Sequence, residues 1–399
     1  MALIGFAYNQ KPDDTDARAS DDEPRSEDEP PSLSRHRRSR VDRSAQVAGA
    51  IQSSLEAHDR NATDDEFAEW DSSETIRAVE RALSKLGEVV RLEANADFAE
   101  RLRAERPDIV FNMAEGLRGA NRESHVPAMC EFFGIPYSGS DPFTLSLCLD
   151  KARTKECLTY HDIPTAPFQV VDDASAHRGS LEFPVFVKPV HEGSSKGITE
   201  RNYCRTPSEM REQVAFLLER YRQPVLIEEF LPGAEFTCAV LGNGGGAHVL
   251  PIVGMNFDVL PSGSLPVYGF EAKWLWDRPE QPLEIFECPA RIDEALRRTI
   301  ERVVLAAYHA LGCRDWSRID VRLDAAGVPN VVEVNPLPGI LPNPADNSCF
   351  PKAARAAGMS YDELIQTCVR HAADRQGVAL PRNAAHGRQS SVARAAASS

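Results

Sequence analysis

Arg318, Asp320, Glu333 and Asn335 lie on two short runs, Arg318–Leu323 and Asn330–Asn335, joined through a turn at Ala325-Ala326-Gly327. Side chains alternate between the faces of a strand. A hairpin centred between Ala326 and Gly327 therefore sets Asp320 opposite Glu333 and Arg318 opposite Asn335, all on one face. Ile319, Val321 and Leu323 with Val332 and Val334 then form an apolar face that belongs in a core. Two directly opposed carboxylates repel, so something positive is needed between them. A hard cation such as Mg²⁺ takes carboxylate and amide oxygens and keeps positions for water and phosphate. An ion-pair ladder with Arg318 and Arg322 would also serve, and the hairpin by itself leaves both arrangements open.

A second group is cationic. Lys188 closes an apolar run and is followed by a loop, His191 to Gly197, in which two glycines surround Ser194, Ser195 and Lys196. Glycines let backbone N–H groups approach an anion, and the hydroxyls and lysines add donors and charge. The loop lacks the Walker pattern, and a Gly-Ser run taken alone is more often a plain flexible connection. Its meaning comes from combination with Lys151, Lys273 and the acidic hairpin, because a nucleoside triphosphate needs both lysines and Mg²⁺ to offset its charge.

The elements that must carry these residues follow from periodicity and stop signals. Residues 2–8 read as a buried strand. Ser72 or Ser73 caps a helix with Ile76, Val79, Leu83 and Leu86 at helical spacing, which Gly87 stops. A strand over 88–92, a helix over 98–105 ending before Pro107, and a strand over 108–113 complete a strand-helix alternation, which implies a parallel sheet with ligands at the loops after its strands. Helices are expected from Asp141 to about His161. Strands are expected over 183–188, 224–230 and 236–241, the last two antiparallel across a Pro-Gly turn. Ile292 to Leu311 reads as a long helix stopped by Gly312.

The 399 residues carry 60 Asp and Glu against 45 Lys and Arg, a formal charge of -15, with 42% apolar and 26% charged residues. This is the composition of a globular chain of two or three domains, and the acidic balance argues against nucleic acid or an anionic membrane as main partner. Nine scattered cysteines without a C-x-x-C pair suggest reduced thiols, and no apolar run reaches spanning length, so a cytoplasmic location is expected. Residues 11–69 hold 16 acidic and nine basic residues and little that could form a core. This stretch is expected to be a disordered polar insertion, and the arginines at 35, 37, 38, 40 and 43 are read as solvated.

Taken in order, these motifs resemble an ATP-grasp carboxylate-amine ligase, closest to the D-alanine:D-alanine ligase family, over roughly residues 65–372. The likeness rests on Asp150-Lys151 with Thr154-Lys155, Val187-Lys188-Pro189, Glu192-Gly193-Ser194-Ser195, Ile227-Glu228-Glu229 and Gly233-Ala234-Glu235-Phe236-Thr237. It continues through Glu271-Ala272-Lys273, Arg318-Ile319-Asp320 and Glu333-Val334-Asn335 with Pro338-Gly339. The resemblance implies an α/β ATP-grasp fold. A Rossmann-like substrate domain would take residues 1–10 and 65–140 around the 11–64 insertion. Two α+β subdomains, 141–227 and 228–374, would clasp ATP ahead of a frayed tail at 375–399.

The resemblance also implies roles. Lys151, Lys188 and Lys273, with Ser194 and Ser195, would surround the phosphates, Glu228 and the backbone at Leu231 the adenine, and Glu235 the ribose. Asp320, Glu333 and Asn335 would hold two Mg²⁺ ions, with Mn²⁺ as a substitute. A substrate carboxylate would attack the γ-phosphate to give an acyl phosphate, and an amine would then displace phosphate. Arg318, Ser195 and the Gly339 backbone N–H would act at the reacting centre. The partners implied are small amino-acid substrates, with a homodimer as the possible assembly. Departures fall at the substrate end: Glu115-Gly116 stands where the family has His-Gly, Trp274 follows the lysine, and Ser348 lies four residues further on than usual as anchor for the second carboxylate. A ligase making another dipeptide or amide, or a non-catalytic ATP-binding protein, are the alternative readings.

Overall fold

The computed structural model describes residues 1–12, 69–175, 181–193, 196–261, 263–269 and 283–381. The insertion between positions 13 and 68, Ser194, Ser195, Lys273, Trp274 and the tail from 382 lie outside the described residues.

The first sheet is parallel throughout, in the order β2 (Glu88–Glu93), β1 (Leu3–Tyr8), β3 (Ile109–Asn112). Helix α1 (Ser73–Leu83) starts where the Ser72 hydroxyl accepts the Thr75 N–H. Its Ile76, Val79 and Leu83 are buried. The helix ends at Leu83, earlier than the spacing of Leu86 suggests, although Leu86 is itself buried. Helix α2 (Phe98–Glu105) is the second crossover, and Arg106 closes it in a left-handed conformation ahead of Pro107. Lys11 N–H donates to the Asp71 carbonyl and Asp71 N–H to the Asn9 carbonyl, both at 2.9 Å, so the chain leaves toward position 13 and re-enters at 69 side by side.

Helices α3 (His125–Phe133), α4 (Pro142–Leu149) and α5 (Lys151–Tyr160) lead into a four-stranded antiparallel sheet. Its order is β4 (Phe168–Val171), β7 (Val225–Glu229), β5 (Val185–Pro189), β6 (Tyr203–Cys204). Helix α6 (Pro207–Tyr221), capped by Thr206, covers it with Met210, Val214 and Leu217. A further antiparallel sheet runs β11 (Phe286–Glu287), β10 (Val253–Met255), β8 (Glu235–Leu241), β12 (Trp316–Leu323), β13 (Pro329–Asn335), with β9 (His248–Val249) beside β8. Helix α7 (Glu294–Ala310) backs it with Ile300, Val304 and Tyr308. Helices α8 (Cys349–Ala356) and α9 (Tyr361–Gln376) return to the first sheet, where the Gln366 amide donates to the Ala82 carbonyl of α1.

Two expectations are corrected. β7 and β8 do not pair: β7 lies between β4 and β5, and β8 between β10 and β12, so the Pro232-Gly233 turn carries the chain from one sheet to the other. Gly233 is required there because a Cβ would lie 2.6 Å from the Leu323 Cβ. In the hairpin, Arg318 pairs with Asn335 and Asp320 with Glu333 as the turn symmetry demands, but a bulge then makes Val321 pair with Val331. Val332 is the extra residue. It lines the pocket beside Glu333, and Val331 takes the core position that the alternation assigned to Val332.

Candidate active site

The two antiparallel sheets and the loops above the parallel sheet enclose a cavity of about 470 Å³. Its wall includes Lys151, Lys188, Glu228, Leu231, Glu235, Arg318, Asp320, Glu333, Asn335, Gly339, Ser348 and Glu115. Every described residue singled out from the sequence therefore faces one space.

The cations and carboxylates are interleaved. Lys151, first residue of α5, lies 3.1 Å from Oε1 of Glu333, and its ammonium also meets the Glu192 carbonyl. Arg318 Nη2 lies 3.1 Å from Asp320 Oδ2 and 3.6 Å from Glu333 Oε2. Burial alone would raise the Glu333 pKa, but Lys151, Arg318 and Lys188 outweigh it and bring it to about 2. Asp320 shifts the other way: burial raises its pKa and Glu333 adds to the rise, which Arg318 opposes without cancelling. Asp320 Oδ1 is buried and has no hydrogen-bond partner among the described residues. Arg322 takes no part in a ladder, since its Nη1 is 2.8 Å from Glu235 Oε2 and its guanidinium stacks over Phe230 and Phe257.

These residues fit a hard divalent cation. A buried carboxylate oxygen without a donor, an opposing carboxylate and an adjacent amide are oxygen ligands of the right class, and a cation would relieve the charge that raises Asp320. The Asn335 amide oxygen accepts the Leu337 N–H at 3.0 Å, and a carbonyl oxygen keeps a second lone pair. At the other end of the cavity Glu228 is held between Lys188 at 2.6 Å and Lys155 at 3.0 Å. Ser348 donates to the Gly339 carbonyl and accepts the Leu341 N–H, which fixes the turn after β13.

The sequence reading missed two residues near the substrate end, Glu69 and Asp71. Glu69 lies 3.0 Å from Arg122 and 3.3 Å from Lys196, and Asp71 lines the wall close by. Their positions at the edge of the insertion gave no motif; only the clamp at Asp71 brings them here. Burial and the charges of Glu123, Glu69 and Asp71 raise the Glu115 pKa well above the ordinary carboxyl range.

A family model described as the D-ala D-ala ligase C-terminus matches residues 158–370, which hold β5, β7 and the whole β12–β13 hairpin. The chain belongs to the D-alanine–D-alanine ligase family. Members of this family are ATP-grasp ligases, so the chain is an ATP-dependent ligase by descent. It is 36% identical to the D-alanine–D-alanine ligase of Bordetella petrii over 269 residues, which span 67% of this chain and 76% of that protein. It is 37% identical to the uncharacterized protein y4sG of Sinorhizobium fredii over 257 residues, 64% of this chain and 72% of that one. Among solved structures, the D-alanine–D-alanine ligase from Bacillus anthracis complexed with ATP superposes with a TM-score of 0.62 at 21% identity, covering 94% of this chain and 99% of that one. That likeness establishes the ATP-grasp fold. No helix among the described residues is long and apolar enough to cross a membrane.

Proposed function

We propose that this chain joins the carboxylate of one amino acid to the amine of another through an acyl phosphate, with D-alanine as the first substrate to test. The observation that carries the reading is the continuous wall from Glu228 and Lys188 through Lys151, Glu333, Asp320 and Arg318 to Gly339. It has a cationic stretch where phosphates would lie and a mixed stretch where negative charge would develop.

In this reading the adenine lies at Glu228 and Leu231, the ribose at Glu235, and the phosphates along Lys188 and Lys151, with Lys273, Ser194 and Ser195 completing that shell. Asp320, Glu333 and Asn335 would hold Mg²⁺, or Mn²⁺ in its place, which when bound neutralises phosphate charge and polarises the transferred group. Arg318 is oriented by Asp320 and Glu333 and offers N–H donors to the carboxylate oxygen that becomes the tetrahedral oxyanion. The Gly339 N–H, at the turn after β13, is the second donor. No side-chain nucleophile is needed, in keeping with nine cysteines that are all free thiols, most of them buried. Such thiols also support a reducing, cytoplasmic setting.

The test is phosphate release from ATP with Mg²⁺ across a panel of D- and L-amino acids, with the dipeptide product identified by mass. Release that depends on an amino acid supports the ligase. ATP binding without release for any member of the panel would favour the non-catalytic alternative.

A further inference from the structure

Lys155 is quoted in the motif Thr154-Lys155, yet neither the family reading nor the phosphate shell gives it a task. Its side chain is 2% exposed, although it lies on the cavity wall. An ammonium has three donors. Two of those of Lys155 go to Thr165 Oγ1 at 2.6 Å and the Ala166 carbonyl at 3.2 Å, the ammonium forms an ion pair with Glu228 Oε2 at 3.0 Å, and the Phe168 ring centroid lies 5.4 Å away. Its charge is already neutralised by Glu228 and its side chain enclosed, which places it poorly for a phosphate. Lys188 differs, because among the described residues its one ion pair is with Glu228.

The contacts continue beyond Lys155. The Thr165 hydroxyl donates to the Val331 carbonyl at 2.8 Å, and the Val331 N–H donates to the Pro164 carbonyl at 2.8 Å. Val331 is the last core residue before the bulge that turns Val332 and Glu333 toward the cavity. A path of short polar contacts thus runs from Glu228 at one end of the pocket to the strand carrying Glu333 at the other. Glu228 has about four lone-pair sites, of which the two lysines use two. Glu228 lines the cavity wall, where a carboxylate suits an exocyclic amino group and would repel a base carbonyl.

We propose that Lys155 is a positioning residue: it fixes the Glu228 carboxylate toward the nucleobase and ties it through Thr165 to the strand of Glu333, so that base and phosphate ends share one rigid frame. Lys155 itself touches no ligand. This rests on the nucleotide reading of the pocket given above, and the experiment separates the two.

ATP and GTP binding to the full chain are measured by calorimetry for wild type, Lys155→Met, Thr165→Val, Glu228→Gln and the double variant Lys155→Met/Glu228→Gln. Thermal unfolding is followed in parallel. Lys155→Met is expected to weaken ATP binding by about tenfold or more and to narrow the ATP/GTP ratio, since a buried carboxylate that loses one of two cations is no longer held. Thr165→Val removes only a hydroxyl and keeps Lys155, so it should fold and move both quantities in the same direction by less. The double variant should bind no worse than Glu228→Gln alone. Wild-type ATP affinity and ATP/GTP ratio in Lys155→Met or Thr165→Val, whatever the loss in Tm, would overturn the role and leave a purely structural ammonium. A wild-type chain that binds neither nucleotide would overturn the nucleotide reading itself.

Discussion

The Lys151 ammonium lies 3.1 Å from Glu333, joining the first residue of α5 to the centre of β13 across the mouth of the cavity. Lys151 and Arg318 together hold Glu333 ionised, with a pKa of about 2 against the desolvation that opposes it. The pair is therefore a poised charge rather than a stabilising bridge, because a buried ion pair gains little over an apolar replacement.

Glu333→Gln keeps the shape and removes the charge. It is expected to leave the fold intact while turnover falls at least about 10²-fold, the usual loss for one well-placed electrostatic group. Initial rates over a range of Mg²⁺ concentrations check this. A rate close to wild type at saturating Mg²⁺ would return the hairpin to a simple ion-pair role.

The substrate end makes a separate prediction. Glu115 lines the cavity without an ion pair among the described residues, near Glu123, Glu69 and Asp71. Glu115→His and Trp274→Tyr, alone and together, should change the ratio of kcat/KM values among amino acids while the KM for ATP moves little. A buried carboxylate that meets a substrate ammonium discriminates against substrates lacking it by a few kcal/mol, on the order of the penalty for an unpaired buried charge. Unchanged ratios across the panel would remove both residues from the pocket.

Asp71 should make stability depend on pH. Burial raises its pKa from 3.8 to about 8, and Lys11, which acts in the opposite direction, does not restore it. The groups it faces besides Lys11 are Glu115 and the Tyr361 hydroxyl. The folded state holds this proton more tightly than the unfolded chain, so its contribution is fully present below pH 3.8 and is lost as pH rises toward about 8. Asp71→Asn should flatten the fall in Tm across that window. A variant whose Tm falls as steeply as wild type would show that other groups set the slope.

The clamp between Asn9, Lys11 and Asp71 predicts that the intervening stretch can be shortened. Loop-closure entropy changes slowly with length when the ends are already adjacent. Replacing residues 13–64 with a short Gly-Ser linker should preserve ATP binding and keep Tm within a few degrees. Lost ATP binding would mean that the stretch supplies contacts to the pocket.

Much of this site could be read in the chain because its parts are local patterns. The hairpin register up to Asp320 and Glu333 follows from the symmetry of one turn, and Lys188 and Glu228 stand at the ends of plain apolar runs. What could not be read depends on distant partners. The bulge at Val332 is invisible to alternation, since one extra residue leaves composition unchanged. The separation of β7 from β8 depends on which sheet each strand finds, which a Pro-Gly turn does not specify. Lys155 gave no sign of its task because Thr165, Ala166 and Glu228 meet it only after α5 packs beneath the sheet. Glu69 and Asp71 were hidden behind a polar stretch that says nothing of where its end returns.

The bulge has a further meaning for how this pocket can change over time. Two successive residues, Val332 and Glu333, point the same way, so β13 presents an oily surface and an acid to one ligand within a single step of the backbone. Exchanging one aliphatic side chain for another at position 332 would only reshape the wall. Losing that one residue would restore strict alternation with Val331 still on the core face opposite Val321, so the core would keep its packing and the wall would lose its apolar side chain beside the acid. Variation at this spot, by substitution or by loss of Val332, thus reshapes the ligand wall without reaching the core behind it.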